Sequence, residues 1–184
     1  MPGRHWRRAR RLVPSFAAAV SSFAASTVLG PPAWAVPPDT SDEPTPCWSD
    51  QIAVNASPAQ GAVGHRALTL IFTLAGGAEP CTLAGYPGVD AGNGGPHIHA
   101  QPTLRGYMGG LPADVDVPPT VILSLSTQGQ AIVEGVAVDG SGSQCPTYTD
   151  LGVSPPDIVQ VFTVSANIDA CALQVHPVTA ANNS

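Results

Sequence analysis

Arg66-Ala-Leu-Thr-Leu-Ile-Phe-Thr-Leu74 is the stretch that decides the fold. Leu68, Leu70, Phe72 and Leu74 fall on one face, and Ala67, Thr69, Ile71 and Thr73 on the other. Side chains of an extended strand alternate sides, so this period-two pattern marks a half-buried strand. Val121, Leu123 and Leu125 alternate with Ser124 and Ser126 in the same way. Further strands are expected near Gln51–Val54, Gly88–Val89, Ile98–Leu104, Ala131–Val138, Ile158–Val164 and Cys171–Val178.

Turn chemistry separates these runs: Gly76-Gly77, Tyr86-Pro87-Gly88, Gly92-Asn93-Gly94-Gly95, Pro118-Pro119, Asp139-Gly140 and Pro155-Pro156. Pro87-Gly88 suits the centre of a type II turn, where glycine takes the positive φ freely. No stretch beyond residue 35 carries a helical period. The expectation is an all-β, antiparallel β-sandwich of about seven to nine strands.

Five of the seven basic residues crowd the first eleven positions: Arg4, Arg7, Arg8, Arg10 and Arg11. An apolar Ala/Ser-rich run follows from Leu12 to about Leu29, and then Ala33-Trp34-Ala35. Basic head, apolar stretch and small-x-small site predict a secretory signal peptide over residues 1–35, cleaved before Val36. Two rivals are weaker. The paired arginines fit a twin-arginine signal poorly. A retained membrane anchor would need about 20 apolar residues, but this run is rich in Ala and Ser and is interrupted by Pro14, Pro31 and Pro32. The expected localisation is therefore secreted or cell-wall associated, with no stable membrane span after cleavage.

All thirteen carboxylates lie beyond residue 35, against only Arg66 and Arg105, so the remaining chain carries a net charge of −11. There is no lysine. Such a surface repels nucleic acid and anionic lipid, and excludes Schiff-base chemistry through lysine. Residues 36–46 hold four prolines, three acids and a single aliphatic side chain, too little to offset chain entropy, so a disordered linker is expected. A single β-sandwich domain then spans residues 47–179, with a disordered tail over 180–184.

Cys47, Cys81, Cys145 and Cys171 lie beyond the signal. Export exposes thiols to oxidising conditions, and closely spaced C-x-x-C pairs suited to zinc are missing. Two disulfides are expected. Four cysteines allow three connectivities, of which Cys47–Cys81 with Cys145–Cys171 joins neighbouring segments through loops of roughly 25–35 residues.

His97-Ile98-His99 is the one metal-like constellation. On a strand the two imidazoles would share a face about 6.5–7 Å apart, and could chelate copper or zinc. Asp114 and Asp116 form a second same-face pair that could complete such a site. The competing reading is a pair of solvent-facing loop histidines, and no cofactor is expected. His65 and His176 flank strands and read as structural.

The catalytic inventory is thin. No G-x-S-x-G elbow or phosphate loop occurs, Ser141 and Ser143 sit in what reads as a flexible loop, and no carboxylate pair stands out. Phe72 and Phe162 read as core, and Trp48 as packing on a disulfide beside Cys47. Tyr107, in Gly106-Tyr-Met-Gly-Gly, is the candidate exposed aromatic for ligand contact.

Several segments carry a family resemblance: Gly64-His-Arg-Ala-Leu-Thr-Leu-Ile-Phe-Thr, Pro80-Cys-Thr-Leu-Ala-Gly-Tyr-Pro-Gly-Val, the strand around Val133-Glu-Gly, Cys145-Pro, Val153-Ser-Pro-Pro-Asp, and Cys171 with Leu-Gln-Val-His-Pro. On these the chain resembles a secreted actinobacterial domain-of-unknown-function family (number forty-two thirty-two), over most of residues 47–178. The resemblance implies an exported immunoglobulin-like β-sandwich with paired cysteines. It brings no catalytic residues. The expected function is a non-enzymatic domain acting by surface contact with an envelope component or another secreted protein. The alternative is a copper- or zinc-binding protein using His97 and His99.

Overall fold

The computed structural model describes residues 43–181. The expected signal peptide, the linker up to residue 42 and the last three residues lie outside them. A one-turn 3₁₀ helix, Ser49–Gln51, precedes thirteen strands. In chain order these are β1 (Ile52–Ala56), β2 (Gln60–Ala62), β3 (His65–Leu74), β4 (Cys81–Ala84), β5 (Gly88–Ala91) and β6 (Ile98–His99). Then come β7 (Gln101–Pro102), β8 (Thr120–Leu123), β9 (Gly129–Val136), β10 (Thr147–Ser154), β11 (Phe162–Asp169), β12 (Leu173–Val175) and β13 (Thr179–Ala180). Eight of them have four or more residues, within the expected seven to nine.

The strands form an antiparallel β-sandwich. One sheet runs β1-β3-β9-β12-β7, with β2 on β3 and β13 on β9. A second runs β11-β10-β5-β6, and β4 pairs with β8 as a short ribbon. The β12–β7 pairing is parallel. Leu68, Leu70 and Phe72 of β3 are buried, as are Ala131 and Val133 of β9 and Leu173 and Val175 of β12. They share one core with Val89, Leu151, Val153, Val164 and Ile168 of the second sheet, and with Cys81, Leu83, Val121 and Leu123 of the ribbon. Alternation along β3 therefore does what its sequence dictates. Phe72 is fully buried, and burying such a side chain is worth about 1.5–3 kcal/mol.

Disulfides Cys47–Cys81 and Cys145–Cys171 close separations of 34 and 26 residues. Chain entropy values each at about 3.5–4 kcal/mol.

Several boundaries differ from the sequence reading. Ile98–Leu104 is two short strands, because the chain changes sheets within it: β6 pairs with β5 of the second sheet and β7 with β12 of the first. The strand expected at Ile158–Val164 starts at Phe162 and runs on to Asp169, after a loop holding Val159 and Val161. Strand β8 ends at Leu123, since Ser124 bonds back to Thr127 in a turn that leaves Leu125 exposed. The Cys171–Val178 run supplies only β12. The end of the linker is tied down: Thr82 donates its amide to the Thr45 carbonyl and receives the Cys47 amide on its own. At the other end, β13 draws Ala180 out of the expected tail and onto Gly129.

Four strands fall outside the expected segments: the short β2 and β13, and the longer β4 and β10. In β10, Tyr148 and Leu151 are both buried though three residues apart, because a bulge between Tyr148 and Asp150 breaks the two-residue phase. Strand β4 is only four residues long and alternates Cys81 and Leu83 inward.

A buried carboxylate beneath an exposed tyrosine

The segment after β7 folds back on itself as a small hairpin. Leu111 donates its amide to the Leu104 carbonyl, and Gly106 donates to Gly109 across a turn centred on Tyr107 and Met108. Gly110 closes it at φ 114°, a conformation open to glycine. The hairpin covers the outer face of β9, where a Cβ added at Gly109 would lie 2.6 Å from the Ile132 side chain.

The amides of the two central residues in such a turn point away from it and need another acceptor. Glu134 of β9 supplies one. Tyr107 donates its amide to Glu134 Oε1 at 3.0 Å, and Met108 to Oε2 at 2.9 Å. Glu134 is 4% exposed, and with His176 it makes up the buried polar side chains of the described residues. His176 Nε2 lies 3.4 Å from Oε2, while Nδ1 is 3.0 Å from the Thr103 carbonyl oxygen. Gly106 is glycine for want of space: a Cβ there would press on Glu134 and stand 2.7 Å from the His176 ring.

Burial alone would raise the Glu134 carboxyl, but the Met108 and Tyr107 amides, with the nearby His176, outweigh it and hold the group below its ordinary value. His65 of β3 completes the cluster. Its Nδ1 sits 3.3 Å from Oε1, buried and outside hydrogen-bond geometry. Its ring stacks on Tyr107 with centroids 4.5 Å apart. Tyr107 itself stays 62% exposed. A cavity of about 340 Å³ opens here, lined by His65, Arg105, Tyr107, Glu134 and Gln174 among others.

Tyr107 is thus exposed as expected, but it is not the loosely packed loop aromatic that its glycine neighbours imply. His65 and His176, read as separate structural residues, meet around Glu134, which the sequence reading did not single out. A lone glutamate within the apolar run Ala131–Val136 was the available signal.

His97 and His99 do converge, on Asp90 of β5, at 3.6 Å and 2.9 Å from the same oxygen. Both histidines are exposed and Asp90 is half-buried, and among the described residues no group of three or more His, Cys, Asp or Glu side chains is arranged to hold a metal ion. Asp116 is bound to Arg105 at 2.9 Å. Ser141 and Ser143 lie in a tied loop: the Ser141 hydroxyl and both backbone amides donate to Asp139 Oδ1. These bonds, led by that hydroxyl, hold the Asp139 carboxyl below its ordinary value. Trp48 is far from buried. It is 72% exposed and lines an apolar groove with Cys47, Ile158, Val159 and Val161. Phe162 is half-buried against the core.

The two disulfides suit an oxidising compartment, and among the described residues no helix is long and apolar enough to cross a membrane. A family model described as a domain of unknown function (DUF4232) matches residues 47–180. No curated protein and no solved structure matches the chain.

Proposed function

The chain belongs to the DUF4232 family across residues 47–180, and on that footing we propose that it is an exported, non-catalytic domain acting by surface contact through Tyr107. The observation that carries this reading is the support given to one exposed aromatic. Glu134 holds the Tyr107 and Met108 amides, and His65 stacks on the ring. A fixed, exposed tyrosine loses little entropy on binding, and such residues dominate contact energies.

Contact is favoured over catalysis by the occupancy of the carboxylate. Each Glu134 oxygen already accepts one amide and faces one imidazole, and the cavity lining includes no serine, threonine or cysteine nucleophile. The partner is a neutral or cationic envelope component or secreted protein, since the chain beyond residue 35 carries −11 and both its arginines are ion-paired, to Asp169 and Asp116.

The test is capture from envelope extracts at low salt on the immobilised full chain, run beside Tyr107→Ala. A component retained by the first and lost by the second is expected. Equal retention, or nothing retained by either, would overturn the reading.

A further inference from the structure

Both ring nitrogens of His176 face oxygen atoms that can only accept. Nδ1 lies 3.0 Å from the Thr103 carbonyl oxygen, and Nε2 lies 3.4 Å from Glu134 Oε2. A neutral imidazole has one N–H and can serve only one of them, whereas an imidazolium serves both. With the single proton on Nε2, the Thr103 hydroxyl at 3.3 Å can donate to Nδ1, but the Thr103 carbonyl oxygen at 3.0 Å then faces a ring lone pair and has no proton from His176. The ring is 1% exposed and Gly106 closes over it, so water does not readily replace a lost partner.

We propose that His176 is a proton-operated latch on the Tyr107 turn. Doubly protonated, it joins Thr103 to Glu134, and through that carboxylate to the amides of Tyr107 and Met108. When it gives one proton to solvent, two acceptors share one donor. Either the Thr103 contact or the Glu134 contact then opens, and the turn loosens. The contact face is firm at low pH and mobile at high pH.

Three charged or titratable groups surround the pair, one on β3 and two on the hairpin. His65 on β3 faces Oε1 at 3.3 Å. Arg105 on the hairpin is committed to the Pro112 and Val115 carbonyls and to Asp116. Tyr107 presents its backbone amide to the carboxylate and its ring to His65. His65 is therefore the group whose titration must be separated from that of His176.

As regulation of the contact face the latch rests on the proposed function, but its test needs no partner, so either can fail alone. Hydrogen exchange of the Tyr107 and Met108 amides is measured by NMR on the full chain between about pH 5 and pH 8, corrected for intrinsic rates. Protection is expected to fall about tenfold with rising pH, as loss of one buried hydrogen bond implies. Its midpoint should coincide with that of the His176 ring resonances. His176→Gln should abolish the dependence, and His65→Phe, which keeps a flat ring against Tyr107, should retain it.

Protection that ignores pH overturns the latch. So does dependence that survives His176→Gln or vanishes in His65→Phe. Should His176→Gln fail to fold, a wild-type amide midpoint that departs from the His176 ring midpoint overturns it equally.

Discussion

Glu134 and Tyr107 are joined across the outer face of the large sheet, a buried carboxylate accepting the backbone amide of an exposed tyrosine at 3.0 Å. The bond inverts the usual division of a sandwich, whose buried positions face inward and whose outer face is solvated. Here the Gly106–Gly110 hairpin tip caps the outer face, and the carboxylate compensates the amides that the turn leaves without acceptors.

Glu134→Gln should therefore destabilise the domain by about 2–4 kcal/mol, because a carboxamide turns an N–H toward one of the two donating amides and leaves it unpaired. Urea unfolding measures this. A loss below about 0.5 kcal/mol would show that the carboxylate does not hold the turn.

Acid should act through the same group. Its carboxyl is lowered in the folded state from an ordinary value of 4.5. A depressed folded-state value stabilises fully above the unfolded value and progressively less as pH falls through the folded one. The stability contributed by this carboxyl should hold from neutral pH to about pH 5 and decline below it. Asp139 adds a contribution of the same sign from an exposed loop. Urea midpoints across pH 2–7 should show a shallower acid decline for Glu134→Gln than for wild type.

Gly106→Ala tests the close approach from the other side. A Cβ there meets both Glu134 and the His176 ring, which are buried and cannot swing away. A loss of about 1–3 kcal/mol is expected, with the damage confined to the hairpin in amide spectra. Unchanged stability would mean that the hairpin rests elsewhere.

Val63 offers a gain. It is a β-branched residue at φ 38° in the two-residue turn between β2 and β3, next to Gly64 at φ 81°. Asn-Gly suits this primed turn far better than Val-Gly. Val63→Asn should stabilise by about 0.5–1 kcal/mol, read as a rise of a few degrees in Tm. A fall in Tm would contradict it.

The β-sandwich was legible because its main strands alternate. Leu68, Leu70 and Phe72 of β3 announce their face without help from the rest of the chain. Strand β10 was not, since its bulge puts Tyr148 and Leu151 out of phase, and periodicity is the only signal a single strand carries. The histidine pair at 97 and 99 drew attention through proximity in sequence. The cluster that the fold builds joins residues far apart, His176 lying 42 positions after Glu134. Three strands and a returning hairpin bring it together. Pairing across that distance is a property of sheet order, which alternation along each strand does not encode.

The most direct test of contact through Tyr107 is an NMR titration of the isotope-labelled full chain with the envelope fraction retained on the capture column. The account predicts that the Tyr107, Met108 and His65 amides respond first, while Trp48 and Val159 beside the apolar groove stay in place. Response at Trp48 and Val159 with Tyr107 unmoved would contradict it.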